Sequence, residues 1–106
     1  DWQYYVPTTR PGSCPPSVYL ADGTAIFDLF GEGFTLLNFS GVKVTDLAVA
    51  AKTANLSLKI VNIRDEHARS LYERNLVLIR PDQIVCWRGD ELPVDAAGLL
   101  NTVTGK

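Results

Sequence analysis

The stretch FTLLNFSGVKVTDLAVAAKTANLSLKIVNI, residues 34–63, decides the fold. Phe34 to Phe39 is nearly continuous in apolar residues, the pattern of a strand buried on both faces of a sheet. From Val44 the apolar positions Val44, Leu47, Ala48, Ala51 and Ala54 recur at helical spacing, with Asp46, Lys52 and Asn55 falling elsewhere. Leu58, Ile60, Val61 and Ile63 then make a second strand. A strand that returns through a helix lies parallel to the first, in a right-handed βαβ unit, so Phe34 to Phe39 is expected at the centre of a sheet.

Downstream, Asp65 is placed to cap a short helix from Glu66 to about Arg74 that turns Ala68, Leu71 and Tyr72 inward. Leu76 to Arg80 and Ile84 to Arg88, joined by Pro81-Asp82-Gln83, predict an antiparallel hairpin, because proline presets a turn angle. Asp95 caps a last helix that carries Leu99, Leu100 and Val103 on one face and stops at Gly105. Upstream, five prolines and glycines between residues 6 and 17 exclude a continuous helix or central strand and make residues 1–17 an extended arm. Val18-Tyr19-Leu20 and Ala25-Ile26-Phe27 flank Asp22-Gly23, which suggests a small hairpin or turn opening a domain over residues 18–106.

Composition bounds what this domain does. With 106 residues, one core is expected. Ten basic against twelve acidic side chains leave a net charge of -2, so no basic field draws nucleic acid. Apolar runs such as Leu76 to Ile79 are far below the ~20 residues of a membrane span, and Asp1 to Tyr5 lack the pattern of a secretory signal. Only Cys14 and Cys86 occur, which points to a reducing, cytoplasmic setting rather than a disulfide scaffold. Met is absent even at the start, as expected of a cut inside a longer polypeptide.

The element order βαβ, helix, ββ, helix is that of the thioredoxin framework: an α/β fold with a mixed central sheet flanked by helices, here with an N-terminal arm. Two stretches carry a narrower resemblance. Pro11-Gly12-Ser13 with Val18-Tyr19-Leu20-Ala21-Asp22-Gly23 and Phe30-Gly31-Glu32-Gly33-Phe34-Thr35-Leu36-Leu37 is the first; LVLIRPDQIVCWRG, Leu76 to Gly89, is the second. Both resemble the C-terminal thioredoxin-like domain of FAD-dependent phenol and polyketide hydroxylases. The resemblance implies a parent that binds FAD and NAD(P)H and hydroxylates an aromatic ring through sites upstream of Asp1. It makes the flavin-binding domain of the same polypeptide the partner, leaves a homo-oligomer open, and gives this chain a structural or oligomerising role with no cofactor of its own.

The residues offer no catalytic constellation. Thioredoxin chemistry needs a low-pKa cysteine at the start of the helix after the central strand, where the helix dipole favours thiolate. That place reads Ser40-Gly41-Val42-Lys43, and Arg74-Asn75 leads into Leu76 where active thioredoxins commonly carry a proline. Cys86 alternates with Val85 and Trp87 as a small buried hydrophobe would, and Cys14 is an accessible thiol on the arm. His67, the only histidine, has neighbours Asp65 and Glu66 at the wrong spacing for a shared metal. Gly31-Glu32-Gly33 precedes a strand, whereas a dinucleotide fingerprint follows one and opens a helix. Arg80 and Arg88, with Asp82, Asp90 and Glu91, form a charged rim that is a candidate interaction surface. The sharper candidates are Trp2, Tyr4 and Tyr5, aromatic groups with no place in the sheet. Two other readings stand beside the accessory one: a thiol-redox domain using Cys14 or Cys86, and a small-molecule binding module.

Overall fold

The computed structural model describes residues 8–105. Trp2, Tyr4 and Tyr5 lie outside them. Four strands form one sheet, β1 Phe34–Asn38, β2 Leu58–Asn62, β3 Leu76–Ile79 and β4 Val85–Gly89, in the order β2-β1-β3-β4. β1 pairs parallel with β2, Phe34 opposite Leu58, and antiparallel with β3, which pairs antiparallel with β4. Every residue of β1 is buried, as its uninterrupted apolar pattern requires.

Three helices cover the sheet: α1 Thr45–Thr53, α2 Glu66–Tyr72 and α3 Ala96–Thr104. On one face, α1 and α3 enclose a cluster built on Leu36, Leu47, Leu76, Leu78 and Leu100. On the other, α2 and the arm enclose Leu37, Phe39, Ile63, Tyr72, Val77 and Val85. Alternation along β1 and β3 sends Leu36 and Leu78 to the first cluster and Leu37 and Val77 to the second. The Asp65 carboxylate accepts from Ala68 N at 3.0 Å, capping α2, and from Ala21 N at 2.9 Å, which ties the upstream turn to that helix. These amides hold the Asp65 carboxyl below its ordinary pKa. Asp95 caps α3 through Gly98 N at 2.8 Å, and the helix ends at Gly105 with φ 77°.

One local expectation takes its shorter form and another changes. The segment around Asp22-Gly23 makes only one bridge, between Tyr19 and Ala25, before Ile26–Leu29 winds into a short 3-10 helix. That turn drives Ile26 into the core, which ends the ladder. In the second hairpin the register slips between Leu78 and Ile79, leaving Cys86 as the extra residue of a bulge. Cys86 and Trp87 therefore both pack beside the α1–α3 cluster, and the expected alternation is broken.

The arm is fastened to the sheet. Gly12 N donates to Val85 O at 2.8 Å and Val85 N donates to Ser13 O at 3.0 Å, with Gly12 at φ 93° as a glycine bulge requires. Tyr72, fully buried and 5.3 Å from the Phe39 ring, donates its hydroxyl to Pro16 O at 2.6 Å. The helix ends at Glu73 in the left-handed region, φ 72°, where glycine is usual. That conformation turns the Glu73 carboxylate to the arm: Oε1 accepts from Thr8 Oγ1 at 3.0 Å, Thr9 N at 2.9 Å and Arg88 Nη1 at 2.9 Å. Thr9 is fully buried and donates its hydroxyl to Tyr72 O at 2.6 Å.

The Thr9 amide, then the Thr8 hydroxyl and Arg88, hold the Glu73 carboxyl below its ordinary 4.5. A carboxylate depressed in the folded state stabilises the fold above its ordinary value and ceases to do so as pH falls through the lowered one. Because Glu73 is still partly exposed, replacing Glu73→Gln is expected to cost about 1 kcal/mol at neutral pH. The difference between variant and parent chain, followed by urea denaturation, shrinks as pH is lowered below about 4.5 and is absent in stronger acid.

Candidate functional site

The carboxyl ends of β1 and β2, the start of β3 and the end of β4 lie together, since Asn38 pairs with both Asn62 and Leu76, and Leu76 with Gly89. In open α/β sheets, ligands and reactive groups gather at this end. Asn38, buried within an apolar strand, shapes the loop that follows: Nδ2 donates to Val42 O at 2.8 Å while Oδ1 accepts from Val42 N at 3.1 Å. An amide inside a hydrophobic strand was the available sequence signal for this role.

The loop so held presents Ser40 and Gly41, the latter at φ 65° beneath the Arg64 guanidinium. Ser40 Oγ donates to Asn75 Oδ1 at 2.8 Å, and Arg69 Nε donates to the same oxygen at 2.9 Å. Asn75 N donates to Asp90 Oδ1 at 3.0 Å, and Asp90 lies 3.8 Å from Arg69. Where a thioredoxin places its nucleophile, this chain builds a network of hydroxyl, amide, guanidinium and carboxylate. An open pocket of about 490 Å³ lies beside it, lined by Phe39, Ser40, Arg64, Asp65, Glu66 and Arg69.

Both thiols lie elsewhere. Cys14 is exposed on the arm, and Cys86 is half-buried on β4 with its Sγ 3.5 Å from Leu78 O; both are free. Burial pushes the Cys86 thiol up to about 11, against a smaller opposing pull from Arg80. His67 is exposed, and among the described residues no three metal-ligating side chains converge. In the Gly31–Gly33 turn a Cβ on Gly33 would meet Ser57 Oγ and Cβ, so the glycine permits close packing against the loop before β2.

The two candidate arginines sit apart. Arg80 lies at the hairpin turn, exposed and paired with Asp82, its Nε donating to Oδ1 at 3.0 Å. That pairing raises the Arg80 pKa and lowers that of Asp82. Arg88 lies at the other end of the hairpin, with only 18% of its side chain exposed, and is engaged internally by Glu73 and Thr9. Glu73 escaped sequence reading because its partners stand 15 and 64 residues away.

A further feature is the outer side of the α1–α3 layer. A shallow groove of about 450 Å³ runs between those helices, with Val49 at 58% exposure and Val94 fully exposed above it. Among the described residues no helix is long and apolar enough to cross a membrane.

Residues 8–105 match the family model described as the C-terminal domain of aromatic-ring hydroxylases. The FAD-dependent monooxygenase apdD of Emericella nidulans is 40% identical over 94 residues, covering 83% of this chain and 15% of that protein. Aklavinone 12-hydroxylase RdmE of Streptomyces purpurascens is 31% identical, covering 92% of this chain and 21% of that protein. A solved structure of the rebeccamycin biosynthetic enzyme RebC with reduced flavin superposes at a TM-score of 0.89 with 38% identity, over 96% of this chain and 20% of the other. The chain thus spans about a fifth or less of the proteins it matches. It belongs to the family of C-terminal domains of aromatic-ring hydroxylases.

Proposed function

We propose that this chain is the non-catalytic accessory domain of an FAD- and NAD(P)H-dependent aromatic-ring monooxygenase, and that it stabilises the flavin-binding part of the same polypeptide or the oligomer which that polypeptide forms. The observation that carries this reading is the Ser40–Asn75–Arg69–Asp90 network beside the β1–α1 junction, in which Ser40 Oγ and Arg69 Nε both donate to Asn75 Oδ1, and Asn75 N donates to Asp90 Oδ1. Groups so committed hold loops together; a nucleophile or general base needs a free, tuned atom. The FAD and NAD(P)H sites, on this reading, lie in the preceding part of the parent.

Trp2, Tyr4 and Tyr5 are proposed to contact that preceding part, because they enter immediately before Thr8 and Thr9, which the Glu73 clamp fixes in place. Arg80 is proposed as a rim residue of the same assembly, in view of its exposure; Arg88 supports it by holding the arm.

The competing thiol-redox reading has a direct test. A thiol with a pKa near 11 is almost wholly protonated at pH 7.5, so Cys86 is expected to alkylate roughly 100-fold or more slowly than an ordinary exposed thiol, and Cys14 to account for the fast phase. Rapid labelling of Cys86 in the folded chain would revive the redox reading. For the accessory role itself, the parent polypeptide with and without this domain is compared by light scattering and thermal melting. A lost oligomer or a melting point lowered by several degrees is expected; unchanged assembly and stability would refute the proposal.

A further inference from the structure

The two faces of this domain differ in a way its own core does not require. α1 and α3 carry only Asp46 and Lys52 as charged residues between them, although 21% of the chain is charged, and α3 has none. On the opposite layer the seven-residue α2 alone carries as many, Glu66 and Arg69. A surface helix ordinarily turns charged side chains to water. Here α1 already buries Leu47 and Ala51 against the sheet, yet it turns Val49 outward, 58% exposed, and Val94 stands fully exposed over the same groove. Single exposed valines are ordinary, but two lining one groove between adjacent helices, in which Asp46 is the one charged lining residue, make a patch.

Area decides what covers it. Two nine-residue helices side by side present roughly 300 Å². A freely associating partner, including a second copy of this chain, needs about 800 Å² per side. A domain on the same polypeptide needs far less, because the tether supplies millimolar effective concentration. The matched relatives are about five times longer or more, so a partner in the same chain exists in each of them. The Leu92–Val94 loop, which precedes α3, borders the same groove through Val94.

We infer that the outer face of α1 and α3, centred on Val49 and Val94, is the surface on which this domain docks against the preceding portion of its own polypeptide. The inference rests on the accessory reading above and names the contact through which that role is exerted.

The test uses the full-length polypeptide and the 106-residue chain, each with Cys14→Ser and a reporter at Val94→Cys, and a second pair with Tyr19→Cys. Tyr19, 72% exposed on the arm side, serves as the control, and both reporter sites are exposed enough that folding does not depend on them. Labelling of the Val94 reporter is expected to be at least tenfold slower in the full-length polypeptide than in the short chain. It should be independent of protein concentration, with the Tyr19 reporter unchanged. Equal rates at Val94 would overturn the inference; so would a slowing that grows with concentration, which would assign the face to a second copy. The flavin absorbance of the full-length polypeptide is read separately: a colourless protein would remove the monooxygenase reading while the labelling ratio still decides the docking face.

Discussion

One carboxylate at a helix end sets how the N-terminal arm meets the sheet. Glu73 occupies a left-handed position where glycine costs least, so the backbone there gives up stability unless the side chain returns it. It does so by accepting three hydrogen bonds, two of them from the arm, and by neutralising a largely buried Arg88. Because Thr9 and Tyr72 are buried beneath this contact, the arm is the lid of the second hydrophobic cluster. Without it, Tyr72 and Val85 would face water.

The same arrangement gives the domain a direction. The charged layer around α2 receives the arm, and the sparsely charged layer of α1 and α3 lies on the opposite side of the sheet. Both layers meet at the end of the sheet where thioredoxin-like proteins do chemistry, and there the polar groups bond to one another. Ser40 stands where a thioredoxin carries its thiol, and burial raises the pKa of Cys86, so neither position presents a thiolate at neutral pH.

Much of the architecture was legible because it rests on periodicity. The buried run at β1, the helical spacing of α1 and the capping aspartates Asp65 and Asp95 each encode their structure within a few residues. What escaped was set by distant partners or by local geometry with several solutions. The bulge at Cys86 depends on register against β3, and the 3-10 helix that follows the Asp22-Gly23 turn begins at Ile26, which is buried in the core. Arg88 looks like a rim charge in sequence, and becomes a structural one only when Glu73 is brought to it. Asn38 could have been singled out, since a lone amide in a buried strand needs partners.

The claim on which the account turns is that residues 8–17 belong to the folded unit. Urea denaturation of the chain beginning at Thr8 against one beginning at Val18 tests it most directly. Loss of the arm's hydrogen bonds and of the cover over Tyr72 predicts a loss of at least about 3 kcal/mol, or no cooperative transition at all. Two superimposable unfolding curves would contradict it.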